Sequence, residues 1–346
     1  MKKVCPSSPN LPIISVEVKN FGQSQCSFQI LIMAKAKEIT GLDCAADALE
    51  WAAEVLRVRF DEVASLRGAA LDFSDIEGVH SMRVATRRLR SALRDFMPLT
   101  DKRPPRRVRK DLKQIADALG AVRDQDVAIL ALEGLQAEAE TEALKEGIGK
   151  LLRDRNGLRE AARLDLTKTI AVGNINDLQK RFTSAIDKVI SRKKSKRIIS
   201  FNEAGRDVVA AGLQDLLDLG GSLYQPFNIE ELHEMRIAAK RLRYAIELFV
   251  ACWGEQIAPF AEEIAEMQSF LGEVHDCDVW IESMGKRLQN GLRNDATNES
   301  DYQAATWLLS EFVKKRTKEY RSALKLWSDW EANHFAERMR TMMQTA

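Results

Sequence analysis

The sequence predicts an all-α protein made of two pseudo-symmetric four-helix-type bundles from an internal duplication. Three observations predict it. From about residue 42 to 335 apolar residues recur at helical spacing, and no stretch alternates as a strand does. A basic, histidine-headed segment occurs twice, 153 residues apart. A Leu-Gly-x-x-(Arg/His)-Asp-x-Asp-Val segment also occurs twice, Leu119–Val127 and Leu271–Val279, at an offset of 152. Self-similarity at a nearly fixed offset marks a duplicated unit.

Taken in order, residues 1–32 carry three prolines, several Ser, Gln and Asn and no helical period, so they read as a disordered N-terminal tail. The helical domain spans 40–335, with a first half of about 40–195 and a second of about 198–335. Leu49, Ala52, Ala53, Leu56, Phe60 and Val63 form the first apolar face. Ser74 is the expected N-cap of the next helix, which Pro98 closes, and Pro104-Pro105 opens its successor. Periodic segments follow at roughly 106–120, 124–146, 148–170, 175–192 and 200–219. The second half repeats the scheme at roughly 229–250, 257–271, 276–292 and 301–335. Gly120 and Gly272 suit helix C-termini, and Asp124 and Asp276, or Asp126 and Asp278, suit caps of the helices after them.

The duplicated helix has two unlike faces. At about 100° per residue, His80, Arg83, Arg87, Arg90 and Arg94 share a sector roughly 80° wide, while Met82, Ala85, Leu89, Leu93 and Phe96 lie opposite. In the second copy His233, Arg236, Lys240 and Arg243 repeat the stripe, and Met235, Ala238, Leu242, Ile246 and Phe249 repeat the core face. Glu247 stands at the position of Arg94. Like charges three and four apart repel along a helix, so a uniform stripe is suited to an extended anion. Arginine suits phosphate because its planar guanidinium donates in pairs. Arg106, Lys110 and Lys113 add a basic face on the following helix.

Composition narrows the class. The net charge is only +1, yet residues 79–113 hold twelve Lys/Arg against three Asp/Glu, and 254–278 hold seven acids and no Lys or Arg. That describes a local basic site on an otherwise acidic body, with a lopsided binding surface. Five cysteines without CxxC spacing argue against a disulfide framework or a cysteine zinc site and for a reducing compartment. No apolar run is long enough to span a membrane, which makes the cytoplasm the expected location. The basic run 192–197 and the stripe Lys314, Lys318, Arg321 and Lys325 are read as solvated or as further binding surface.

Catalytic signatures are missing: no Gly-rich phosphate loop, no GxSxG and no HExxH. No cofactor and no metal site is expected. Two alternatives stand beside anion binding. His233, His275-Asp276 and Asp278 resemble scattered ligands of a metal-dependent His-Asp phosphohydrolase, although Arg123 occupies the position equivalent to His275. Non-specific RNA or DNA binding is open to any cationic surface, but the stripes lack interleaved aromatics for stacking, so sequence-specific recognition is not expected.

His80-x-x-Arg83-x-x-x-Arg87-Arg88-Leu89-Arg90, repeated as His233-x-x-Arg236-x-x-x-Lys240-Arg241-Leu242-Arg243-Tyr244, resembles the signature of the conserved histidine α-helical domain, CHAD. The Leu-Gly-x-x-(Arg/His)-Asp-x-Asp-Val segment is similar to that family too, and the resemblance covers roughly 40–330. It implies two helical bundles and a basic surface that binds inorganic polyphosphate without catalysis. It also implies association with polyphosphate granules and with a polyphosphate-metabolising enzyme. Carried over by position, the ligand contacts are His80, Arg83, Arg87, Arg90, His233, Arg236, Lys240 and Arg243; Arg94, Arg106, Lys110 and Lys113 extend the basic surface. Many members carry a fused CYTH-type triphosphatase domain, which has no counterpart in this sequence. Glu247 and the acidic 254–278 segment depart from the pattern on the second side.

Overall fold

A computed structural model describes residues 39, 41–100, 106–190, 199–294 and 299–345. The expected tail at 1–32, the Pro104-Pro105 helix start and the basic run 192–197 lie outside them. The described residues form helices α1 (Ala48–Ser65), α2 (Arg67–Leu71), α3 (Ile76–Asp95), α4 (Arg106–Glu138), α5 (Glu142–Thr169), α6 (Val172–Ile190), α7 (Phe201–Asp218), α8 (Ile229–Phe249), α9 (Ala258–Asn294), α10 (Glu299–Ala332) and α11 (Phe335–Thr345), with short 3-10 turns between some of them. Among the described residues there is no strand, only one isolated bridge between Asp47 and Ser200. The all-α expectation holds. No helix among the described residues is long and apolar enough to cross a membrane.

Local chemistry sets the helix starts. The Asp47 carboxylate accepts the Leu49 N–H at 2.7 Å and starts α1. Asp75, not Ser74, caps α3, accepting the Glu77 N–H at 2.8 Å, while the Ser74 hydroxyl donates to Asp72 at 2.6 Å. Asp75 adjoins the first helical residue, and its negative charge also opposes the helix dipole. Between α10 and α11 the chain breaks at His334, whose φ is +56°.

The Gly-x-x-x-Asp-x-Asp segments are not corners. α4 runs without interruption through Gly120 and Asp124, and α9 through Gly272 and Asp276. Leu119, Val122, Leu271 and Val274 are buried on the opposite faces and anchor both helices through these glycines. Packing outweighs the intrinsic cost of a mid-helix glycine, roughly 1 kcal/mol.

The order of packing in the first half recurs in the second. α1 packs on α3, α3 on α4 and α4 on α5; α7 packs on α8, α8 on α9 and α9 on α10. The halves meet where α3 crosses α8, α1 touches α7 and α5 lies on α10. One apolar core runs through both halves, with Phe96 at the C-cap of α3, Phe201 of α7 and Phe249 of α8 in mutual ring contact at 4.7–6.1 Å. A smaller core, built on Leu132, Ile148, Met284 and Leu308, ties α4, α5, α9 and α10 together farther along. There α5 and α10 approach closely at Gly147, where a Cβ would stand 2.3 Å from the Ser300 carbonyl oxygen.

Candidate anion-binding site

The two stripe helices bury the faces the sequence assigns to the core. Met82, Ala85 and Leu89 of α3 with Phe96 at its C-cap, and Met235, Ala238, Leu242, Ile246 and Phe249 of α8, are all buried. Period 3.6 then turns His80, Arg83 and Arg87 of α3 and His233, Arg236, Lys240 and Arg243 of α8 toward the helices' other side. Because α3 packs on α8, the stripes meet. Arg87 Nη1 donates to the Tyr244 hydroxyl at 3.2 Å, and the Arg243 guanidinium lies 5.1 Å from the same ring's centre.

α4 and α9 supply the floor. Arg83 Nη2 is 3.6 Å from an oxygen of Asp124. Asp276 acts on Arg236 as Asp124 acts on Arg83, holding an arginine in its charged form. Gly120 leaves the space beside Arg83 unfilled, its nearest neighbour to a built Cβ being Arg83 Nε at 4.0 Å, and Gly272 faces open space. Where the first half places Arg123 near His80, the second places His275 against His233, Nδ1 to Nδ1 at 3.1 Å with ring centres 4.3 Å apart. One ring must donate and the other accept, so at that contact both rings cannot be imidazolium.

The cluster is short of negative charge, and burial among its own cations lowers the proton affinity of several members. Burial, then Arg123, Arg83, Arg87 and Arg88, press His80 down to about 4. His275 falls to about 4 through burial, Arg236, His233 and Lys240. Lys240 falls to about 7 through burial, then Arg87, Arg236, Arg83 and Arg243. Even Arg83 is lowered to about 10, by burial and Arg87, against the pull of Asp124. A group of this kind recovers its charge when an anion enters.

The remaining candidates are solvent-facing or paired locally. Arg90 is exposed on α3. Arg94 turns to Asp95, Nη2 to Oδ1 at 2.7 Å. Arg106, Lys110 and Lys113 are exposed on α4, and Lys113 pairs with Asp117 at 2.5 Å. With Gly120 and Asp124 they share one face of α4, a track of about 27 Å at 1.5 Å per residue. Lys314 pairs with Glu311 at 2.7 Å on its own helix. A cavity of 810 Å³ lies along α6 between Asn176 and Lys188, and no stripe residue lines it.

Glu247 does not end the second stripe. Its carboxylate takes the Nε of buried Arg88, whose Nη1 is 3.6 Å from Glu62, which in turn holds Arg59 at 3.0 Å. Arg88 lies about 100° around α3 from Arg87 and so points into the α1–α8 seam. The sequence reading also passed over Arg123, His275 and Tyr244 as members of the site. The first two were visible as equivalent positions at the 152 offset. Asp278, one of the four ligands of the metal alternative, gives its carboxylate to Arg316 at 2.5 Å.

Equivalences extend beyond the duplicated motifs. Arg316 Nη2 donates to the Pro226 carbonyl at 2.7 Å, on the loop entering α8. Arg163 Nη2 reaches the Phe73 carbonyl at 3.4 Å, on the loop entering α3. Both pairs stand 153 residues apart, and each arginine also faces a motif aspartate, Asp278 or Asp126.

A profile of the CHAD domain matches residues 54–285. An uncharacterized protein of Mycobacterium tuberculosis is 26% identical over 237 residues, 65% of this chain and 43% of that protein. The chain thus spans less than half of that relative's length. The CHAD domain from the plant Ricinus communis matches with a TM-score of 0.66 at 20% identity, over 83% of this chain and 93% of that one. PptA from Streptomyces chartreusis matches with a TM-score of 0.60 at 16% identity, over 82% of this chain and all of that one, 100%. At those identities the likeness is one of fold. Both stripes, both glycines and both floor aspartates, Asp124 and Asp276, fall inside the matched span, and the chain belongs to the CHAD domain family.

Proposed function

We propose that this protein binds inorganic polyphosphate in the trough where the α3 and α8 stripes meet, as a binding module and without turnover. The observation that carries the proposal is the convergence of Arg83, Arg87, Arg236, Lys240 and Arg243 on one surface, crowded enough to strip Lys240 and His80 of their usual proton affinity. Such a site gains most from a ligand with closely spaced charges, bidentate oxygens and no bases to read. A phosphate chain also has no direction, which suits a surface whose two sides offer similar groups in a similar order. The exposed track Arg106, Lys110 and Lys113 gives a long chain somewhere to continue. Residence in the cytoplasm, at polyphosphate granules and beside a polyphosphate-metabolising enzyme belongs to the same proposal.

The test is a titration of long-chain polyphosphate, triphosphate and random RNA at several salt concentrations. Long chains should bind far more tightly than triphosphate, without added metal, and affinity should fall steeply with salt as counterions are released. RNA competing equally at matched phosphate would favour a general nucleic-acid surface. Phosphate release dependent on a divalent metal would favour a hydrolase.

A further inference from the structure

We infer that Arg155 of α5, lying over Trp280 of α9 and hydrogen-bonded to Gln125 of α4, is a phosphate-binding residue outside the stripes, met by a long polyphosphate chain as it leaves them between α4 and α9. The inference rests on the polyphosphate reading above and adds to it a residue and a route. Arg155 Nη1 donates to the Gln125 side-chain oxygen at 3.4 Å, and the guanidinium carbon stands 4.9 Å from the centre of the Trp280 ring. The indole is itself fixed, stacked on Phe312 of α10 with ring centres 5.0 Å apart and planes 4° apart. Both partners of Arg155 adjoin the floor of the trough. Gln125 follows Asp124, which faces Arg83 at 3.6 Å. Trp280 comes four residues after Asp276 and so lies on the same face of α9, one turn farther on. The charge of Asp124 acts on Asp276, so α4 and α9 approach one another there.

How an arginine is held separates those that brace the fold from those that await a ligand. The bracing arginines are answered by carboxylates: Arg88 by Glu62 and Glu247, Arg316 by Asp278, and Arg181 by Asp111 at 2.8 Å. Arg87, in the trough, is held by the neutral Tyr244 hydroxyl and keeps its charge for a ligand. Arg155 belongs with Arg87. An amide oxygen and an aromatic face orient it, and neither neutralises it. Among the described residues no carboxylate stands within ion-pairing distance of it, and the adjacent Asp154 reaches instead to Arg287 at 3.7 Å. Arg155 is half-buried, and its Nε and Nη2 have no protein partner and are open to solvent. The fork that suits phosphate is therefore oriented and unfilled. Packing does not require a cation here. At the offsets of the repeated motifs, 153 and 152, Leu308 stands for Arg155 and Ala128 for Trp280, and both are apolar and buried.

The experiment compares the full chain with Arg155→Gln, Arg155→Lys and Lys286→Gln, the last removing a cation of α9 that pairs with Glu282 and is 68% exposed. Long-chain polyphosphate and triphosphate are titrated into each by calorimetry at several salt concentrations. Arg155→Gln should weaken long-chain binding about tenfold and flatten its salt slope by about one contact, while triphosphate, short enough to stay on the stripes, binds within about twofold. Arg155→Lys, a charge without the fork, should fall between. Lys286→Gln should change neither affinity by more than about twofold, as a solvated surface charge does. Long-chain polyphosphate should also alter the tryptophan fluorescence, and Trp280→Phe should abolish that change. Unchanged long-chain affinity in Arg155→Gln, an equal loss for both ligands, an equal loss in Lys286→Gln, or a fluorescence change that survives Trp280→Phe overturns the inference and leaves the polyphosphate reading in place. Failure of the unaltered chain to bind either polyanion overturns both.

Discussion

Arg87 of α3 and Tyr244 of α8 are joined by a hydrogen bond of 3.2 Å that crosses from one stripe to the other. The hydroxyl accepts, so it fixes the guanidinium without neutralising it, as a carboxylate would in part. Tyr244 is otherwise buried, and its ring packs beneath Arg243. Tyr244→Phe should therefore leave the fold nearly as stable and weaken polyphosphate binding about fivefold, the worth of ~1 kcal/mol of lost positioning. Parallel melting curves and titrations check both halves of that statement.

Binding should also take up protons. Lys240, near 7 in the free protein against 10.5 unperturbed, regains its proton when phosphate oxygens surround it. Affinity should rise as pH falls from about 9 to 7, and calorimetry in buffers of different ionisation heat should show proton uptake there. Lys240→Arg should flatten this dependence. Stability follows with its own sign: between 6.5 and about 4 the unfolded chain protonates histidines that His80 and His275 keep neutral in the fold. The unfolded state binds more protons, so the free protein should lose stability as pH falls through that window. Polyphosphate should restore part of it.

Glu247 provides a sharper contrast. If it faced the trough, Glu247→Gln would remove a repulsive charge and tighten polyanion binding. It holds buried Arg88 instead, in a chain of charges running through Glu62 to Arg59. Glu247→Gln should lower stability by about 1–3 kcal/mol, since a buried guanidinium loses a charged partner, and should leave polyphosphate affinity within twofold. Glu62→Gln, between two buried arginines, should cost more, about 3 kcal/mol or above. Urea denaturation measures both.

The stripes were legible because their signal is simple: one face apolar, one cationic, repeated at a fixed offset. Met82, Leu89, Met235 and Leu242 lie in the core where periodicity placed them. The Glu247 assignment failed for a reason periodicity cannot supply, because a helix face says nothing about which neighbour packs against it. Arg88 and Glu247 find each other only because α3 crosses α8. The false corners at Gly120 and Gly272 failed differently. The apolar pattern thins there because that face of α4 and α9 belongs to the site, and glycine followed by aspartate imitates a helix end. His275 and Arg123 were equally visible as equivalents, but unlike residue types at equivalent positions hid their shared place.

Those two glycines give the last prediction. Had Gly120 and Gly272 ended helices in left-handed conformation, alanine would strain the backbone and destabilise the protein. Both are instead within continuous helices, and neither has a positive φ. A Cβ at Gly120 would meet nothing closer than Arg83 Nε at 4.0 Å, and one at Gly272 nothing within 4 Å. Gly120→Ala and Gly272→Ala should each stabilise the protein, by about 0.5–1 kcal/mol, as alanine does in a helix interior. In the proposed binding mode the polyanion reaches the α4 backbone through the open space beside Arg83, so Gly120→Ala should also weaken polyphosphate binding while raising the melting temperature. A larger side chain, as in Gly120→Leu, should weaken binding further. Destabilisation by alanine would return these positions to helix ends. Unchanged binding in Gly120→Leu would show that the polyanion passes elsewhere along the trough.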